Sequence, residues 1–323
     1  MRRKYDFIGE PKLFNGHKLH HIIALRDFSD VKEGDCGGWI EKKSNLSHSG
    51  KCWVYNGAKV MDNAKVMHDA AIYDTATIAN EGKVYGKAQI CDTARVLEHG
   101  NVGGNAIMYG NSLCTEYGSI KGDAHITDNA TVMEFAHVEG KARLYRNCMI
   151  YGSALVTGDA IISGSSEIYE NANICQNACI SEHAHVYGNA IVRDWVYIRG
   201  YVNICGKVRL KGNFNIEDNI IINGNISMLI HTEFPLTILG NAIIKDTTDY
   251  IIFKNWWKNT THTSEELFIW TRSNNKYCIN NYGCITGNEL INKAYKNNIR
   301  EGDNYKKIVD YVNSIITPTK TDK

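Results

Sequence analysis

From Val54 to Met228 an apolar residue returns at every sixth position without a slip, beginning Val54, Val60, Val66, Ile72, Ile78 and ending Ile216, Ile222, Met228. Thirty positions make up this line, and all but Met108, Cys114, Leu144, Leu210 and Met228 are Val or Ile. Four residues after each stands a second line, small for most of its length: Ala58, Ala64, Ala70, Ala76, Gly82, Ala88, Ala94 and so on to Ala190. An α-helix repeats like residues at three and four, and a flat strand at two, so a period of six fits neither alone. It fits a short strand followed by a tight corner. The small residue and the next aliphatic one lie two apart, on one face of a strand, and the residue between them points the other way. Corner positions carry pairs such as Asp62-Asn63, Asp74-Thr75, Gly104-Asn105, Asp128-Asn129 and Gly188-Asn189. Gly, Asn and Asp tolerate the left-handed backbone angles that corners need. Three strand-corner units close a triangular coil, so eighteen residues return the chain to its starting side and coils stack by parallel pairing.

This pattern resembles the hexapeptide-repeat left-handed β-helix superfamily, whose motif is an aliphatic residue, two corner positions and a small residue. The left hand is implied by that resemblance, since general physics favours right-handed crossovers between parallel strands. The fold class is therefore read as an all-β solenoid, a left-handed parallel β-helix of about ten triangular coils, with a small C-terminal α/β module. Late in the repeat the small line becomes Val196, Val202, Val208, Phe214, Ile220 and Ile226. The last two coils are expected to be wider inside.

Three regions follow: residues 1–50 as an N-terminal cap, 51–248 as the β-helix, and 249–323 as the C-terminal module. A solenoid end exposes strand edges and apolar core, which invites polymerisation unless covered. In the cap, Leu19 to Leu25 reads as a strand and the segment Gly34 to Ile40 as a turn into a first irregular coil. Ala24-Leu25-Arg26-Asp27-Phe28 with Gly37-Gly38-Trp39-Ile40 resembles the start of YdcK-like repeat proteins of bacteria and phages, uncharacterised proteins often described only as acyltransferases. Past Met228, Pro235 interrupts, and Leu236 to Ile244 reads as one last irregular turn. Strands are expected at Tyr250–Phe253 and Leu267–Thr271, with Ser273-Asn274-Asn275 as a hairpin turn to Tyr277-Cys278-Ile279. Thr286 followed by Glu289 reads as a capping box opening a helix through Leu290, Ile291, Ala294 and Tyr295. A second helix is expected after Gly302-Asp303, with Tyr305, Ile308, Val309, Val312 and Ile316 on one side.

A net charge of +1 gives no bulk electrostatic case for nucleic acid. No run approaches the ~20 apolar residues of a membrane span, and the basic start has no apolar segment after it, so a reducing cytoplasm is expected. The ten cysteines form neither a disulfide framework nor metal knuckles. Cys114, Cys148, Cys175, Cys179 and Cys205 occupy repeat positions where a small, weakly polar side chain suffices.

Residues eighteen apart share a face, so outward chemistry reads by column. Met61, Ala79, Leu97, Thr115, Met133, Tyr151, Tyr169 and Tyr187, with Leu113 and Met149 beside them, form an apolar and aromatic strip where solvent is expected. A contiguous exposed apolar strip marks a contact surface, so Leu97, Met133, Tyr151, Tyr169 and Tyr187 are interface candidates; cross-coil tyrosine stacking is the alternative. In the C-terminal module Trp256, Trp257, Trp270 and Arg272 are binding candidates, or the tryptophans are its core. His125, His137 and His185 point outward from strands, and His68, His99 and His183 sit at corners; none has an evident carboxylate orienter in the next coil. His17, His20 and His21 cluster without a fourth ligand, so no metal, cofactor or catalytic residue is assigned. The first functional reading is a non-enzymatic scaffold or binding protein, self-associating as a dimer or trimer or binding a protein partner. Superfamily resemblance implies a second, an acyl-CoA-dependent hexapeptide-type acyltransferase. A third, a phage-encoded inhibitor or sequestering protein acting on a host component, rests on the YdcK-like resemblance.

Overall fold

The computed structural model describes residues 3–254, 267–279 and 282–316. It is a β-solenoid with parallel sheets, a small antiparallel sheet and two helices. All thirty members of the six-residue line are buried, none more than 2% exposed. Two compact units divide the chain, Met1–Asn189 and Ala190–Lys323.

In the first unit each rung strand is two or three residues long and pairs in parallel with the strand eighteen residues on. One sheet runs from Lys59–Val60 to His185–Val186. A second runs from Trp53–Val54 to Cys179–Ile180. The third runs from Lys65–Val66 to Asn173–Cys175. Strands this short bury one aliphatic side chain each, so the interior is filled by that line and by the small residues, mostly alanine, two positions before it. From Asp62 to Gly188 every corner repeats one device. The second residue after the aliphatic one takes positive φ, as at Asp62 (55°), Asp74 (53°), Glu98 (52°), Gly122 (68°) and Glu134 (53°). The turn closes on itself, with Ala64 N–H donating to Met61 O at 3.2 Å, and opens its other amides to the next coil, as in Asn63 N–H to Asn80 O at 2.7 Å.

The repeat is preceded by an antiparallel hairpin of β1 (Tyr5–Phe14) and β2 (His17–Ala24), followed by β3 (Cys36–Ile40), which pairs antiparallel with β2 and parallel with Lys59–Val60. The first edge of that sheet is thus completed by the chain itself. Beneath it, Lys4 is fully buried, its ammonium donating to Cys52 O at 2.7 Å and facing Cys52 Sγ at 3.2 Å. Burial lowers the Lys4 pKa and raises that of the Cys52 thiol.

The second unit contains three coils of its own, with three parallel sheets running from Ile191–Arg193 to Ile243–Ile244. In the first unit two of the sheets hold eight strands and the third seven, so the described residues make about eleven coils, against the ten that thirty hexads imply, because the irregular turn Leu236 to Ile244 is a true coil. Its register slips from eighteen to twenty-two residues, Phe214 pairing with Leu236, because an extra four residues around Pro235 bulge out. Val196, Val202, Val208, Phe214, Ile220 and Ile226 replace alanine inside, all buried, and rung strands lengthen to as many as four residues.

The end of this unit is closed by an antiparallel sheet of Tyr250–Lys254, Leu267–Thr271, Lys276–Ile279 and Gly283–Ile285. Its hairpin turn satisfies the last coil's free backbone: Ser273 Oγ accepts from Ile243 N–H at 2.7 Å, and Asn274 Nδ2 donates to Asn241 O at 3.1 Å. Cys278 and Cys284 face each other across two of these strands and are joined as a disulfide. Two helices complete the module, α1 (Gly287–Asn297) and α2 (Ile299–Ile316). The expected capping box opens α1, with Glu289 accepting from Thr286 N–H at 2.8 Å. In contrast, α2 begins before Gly302 rather than after it. Asn298 Oδ1 accepts from Glu301 N–H at 2.8 Å and starts the helix, while Gly302 lies inside it, where a Cβ would meet the Tyr295 ring at 2.1 Å. That glycine serves helix contact, not a turn.

Two outcomes test this interior. Ile126→Ala, on the aliphatic line, is expected to cost about 2–5 kcal/mol in urea unfolding, whereas its outward neighbour His125→Ala stays within about 0.5 kcal/mol. Burial pushes the Cys114 and Cys148 thiols up from an ordinary 9.0 to about 12. A neutral thiol is therefore favoured by folding; its contribution is complete below the unfolded value and is lost as pH climbs from about 9 toward about 12. Stability measured by denaturant should fall across that window, and less so in a Cys114→Ala, Cys148→Ala protein.

Candidate functional site

One edge of the first unit gathers the chemistry that the repeat leaves outside. It is the corner following the strands Lys59–Val60, Thr77–Ile78, Arg95–Val96 and their successors up to His185–Val186. Three columns lie along it: the residue after the aliphatic one, the positive-φ residue, and the residue after that.

The middle column explains why carboxylates sit in a strained conformation. Asp62 Oδ2 accepts the Asn80 amide at 3.0 Å, Asn80 Oδ1 the Glu98 amide at 3.2 Å, Glu98 the Glu116 amide at 3.1 Å, Glu116 the Glu134 amide at 2.9 Å, and Glu134 the Gly152 amide at 2.8 Å. Each side chain thus ties down the donor of the next coil at the same height. Elsewhere glycine holds the position, as in the run Gly86, Gly104, Gly122, Gly140 and Gly158. The sequence reading assigned Asp and Asn to these corners through their backbone tolerance and missed the acceptor role; Glu98, Glu116 and Glu134 at eighteen-residue spacing were the available signal.

The first column is the apolar strip. Its leading members do not face solvent as expected: Met61 and Ala79 are buried under Leu19 of β2, with Phe14, Trp39 and Leu97 packed around them. The hairpin is long enough to reach three coils, which a reading by column cannot foresee. Farther along, Thr115, Met133, Tyr151, Tyr169 and Tyr187 are half-buried, and the tyrosines stack, with ring centroids 4.9 Å apart for Tyr151–Tyr169 and 4.7 Å for Tyr169–Tyr187. The Tyr151 hydroxyl donates to Glu167 Oε2 at 2.8 Å; burial and that carboxylate raise its pKa.

The third column adds what the sequence reading overlooked. His99, Tyr117 and Phe135 stack in line, 4.6 and 5.2 Å apart, with Tyr117 53% and Phe135 59% exposed. Together with Leu113, Met133 and Met149 they carry the apolar strip around the corner. The same eighteen-residue column reading, applied to the corner position, finds them.

Two histidines on this edge have carboxylate neighbours in the preceding coil, a side that the sequence reading, made for the next coil, did not weigh. His99 Nδ1 is 3.3 Å from Glu81 and His185 Nδ1 is 3.7 Å from Glu167. The three cap histidines diverge: His20 stacks on Phe7, His21 on Trp39, and His17 reaches Glu41 at 3.4 Å and Asp62 at 3.5 Å. In the C-terminal module Trp270 is fully buried, its Nε1 donating to Asn275 Oδ1 at 2.8 Å, so it is a core residue with no surface for a partner. Arg272 is exposed and donates through Nε to Thr248 O at 3.1 Å. Trp256 and Trp257 lie outside the described residues. Within the second unit, Arg193, Trp195, Lys211 and His231 line an opening of about 400 Å³ beside the four-residue bulge. No described helix is long and apolar enough to cross a membrane.

The corner column makes a specific ordering of stabilities. Glu116→Ala removes the acceptor of Glu134 N–H and keeps the positive φ, so it should cost about 1–2 kcal/mol. Glu116→Gly loses the same bond and relieves the backbone, so it should be milder by about 1 kcal/mol. Urea unfolding of both proteins checks the order.

No family profile matches the chain. Over 86 residues it is 33% identical to the protein named "Uncharacterized acetyltransferase YdcK" of Escherichia coli (strain K12), a stretch amounting to 22% of this chain and 26% of that protein. Over that stretch the chain is similar to a protein named as an acetyltransferase, and the match spans about a quarter of that relative's length.

Proposed function

We propose that this protein is a β-solenoid binding scaffold that self-associates along the aromatic edge of its first unit. The observation that carries this reading is the exposure of Tyr117 and Phe135, both more than half accessible, next to the half-buried Met133, Tyr151 and Tyr169. Stacking on the next coil covers ring faces but leaves one side of the ladder to solvent, an arrangement that a second surface completes. The chain's own hairpin supports it, because Phe14 and Leu19 already lie over the start of the same strip at Met61 and Ala79. A repeating edge suits a second copy, since equal eighteen-residue spacings match rung for rung.

Light scattering tests this. The expected mass is two or three times 36.3 kDa, falling to one chain in a Tyr117→Glu, Phe135→Glu protein with unchanged far-UV circular dichroism. A wild-type monomer at about 100 μM, or a variant that assembles as before, would discard the reading.

Acyl transfer from an acyl-CoA is the second reading. It is supported by the match to the YdcK protein and by the approach of His185 Nδ1 to within 3.7 Å of Glu167, which also accepts from Tyr151, a pairing of imidazole and carboxylate of the kind that serves a general base. A saturable thermal shift with acetyl-CoA that His185→Ala abolishes is the expected result under this reading; no shift counts against it.

A further inference from the structure

We infer that His17, Glu41 and Asp62 form a binding site for a divalent transition-metal ion of the zinc class, joining the N-terminal hairpin to the first coils. The three residues come from separate elements: His17 opens β2 just past the Asn15-Gly16 turn, Glu41 follows β3, and Asp62 is the first positive-φ corner of the acidic column. Their nearest ligand atoms all lie within 4.8 Å of one another. His17 Nδ1 stands 3.4 Å from Glu41 Oε2 and 3.5 Å from Asp62 Oδ1.

Those two distances decide between readings. An imidazole bonded directly to a carboxylate sits at about 2.7–3.2 Å, shorter than either. Donors sharing one tetrahedral cation at about 2.1 Å are held about 3.4 Å apart, which is what His17 makes with both carboxylates. The carboxylates are also oriented from behind. Asp62 uses Oδ2 for Asn80 N–H at 3.0 Å, leaving Oδ1 toward His17, and Glu41 is placed by Asp62 N–H, which donates to the same Oε2 that faces His17. Such outer hydrogen bonds fix ligand geometry in metal sites. An opening of about 390 Å³ lies against His17 and Asp62, beside Phe14, Lys59, Thr77 and Asn80, with room for water or an anion in the remaining coordination positions. One imidazole with two carboxylates and no thiolate favours Zn²⁺, Co²⁺, Ni²⁺ or Mn²⁺ over Mg²⁺ and Ca²⁺, which take oxygen ligands. A bound ion would pin the hairpin where it overlies the aromatic edge.

Titration calorimetry of ZnCl₂ into the chelator-treated full chain reads this directly. One Zn²⁺ per chain is expected with a Kd of about 10 μM or tighter, accompanied by a concentration-dependent rise in Tm. His17→Ala and Asp62→Asn should each weaken binding at least about tenfold. Asn at 62 still accepts the Asn80 amide, so the corner is kept. Should D62N nonetheless fail to fold, Glu41→Gln takes its place, and Asp74→Asn, the same corner role on another edge, should leave binding unchanged. Co²⁺ should give visible absorption bands in the wild type that H17A lacks. No heat up to about 1 mM ZnCl₂, a Kd that H17A and the carboxylate variant leave unaltered, or equal affinity for MgCl₂ would each overturn the assignment.

Discussion

Closing a coil in eighteen residues requires three sharp corners, and the backbone makes each by placing one residue in the left-handed region. That constraint governs the rest. It fixes the short strands between corners, which bury one aliphatic residue apiece, and it fixes alanine or glycine where the interior narrows. Non-glycine residues at positive φ cost about 1 kcal/mol or more each, a burden repeated at Asp62, Asp74, Asn80, Glu98, Glu116 and Glu134. The offset comes from the side chains themselves, each accepting an amide from the coil above. The same residues that make the turn thus also set the stacking register.

Because acceptor side chains hold register at two of the corners and backbone pairing holds it at the glycine corner, residues eighteen apart are held at one lateral position for coil after coil. A side chain repeated in such a column necessarily meets its own copy. Tyr151, Tyr169 and Tyr187 stack for this reason, as do His99, Tyr117 and Phe135. Periodicity therefore turns single exposed aromatics into a continuous apolar edge, and the edge begins where the N-terminal hairpin stops covering it. The carboxylate column between the two aromatic columns starts at Asp62, within reach of His17 on that hairpin.

Everything periodic was legible in the sequence: the six-residue line, its small companion, the corners, the parallel stacking and the last irregular coil around Leu236. Local end signals were legible as well, since Thr286 and Glu289 form the capping box they spell. What failed depends on contacts that no period encodes. Leu19 over Met61 and Ala79 joins distant, non-repeating segments. Gly302 reads as a helix breaker and is instead the space that the Tyr295 ring occupies. Trp270, read either as a binding residue or as core, belongs to a small core. At the candidate edge, the tyrosine column was found because its members are large and alike, whereas Tyr117 and Phe135 differ in type and sit at a corner position not scanned by column.

We propose that copies of the chain meet at this edge and not at another face. Hydroxyl-radical footprinting across protein concentration addresses it most directly, since aromatic side chains report their own accessibility. The account predicts that oxidation of Tyr117, Phe135 and Met133 falls as concentration rises while that of Tyr109, exposed on a different corner, stays constant. Protection of Tyr109 in place of the edge, or oxidation rates at Tyr117 and Phe135 that ignore concentration, would contradict it.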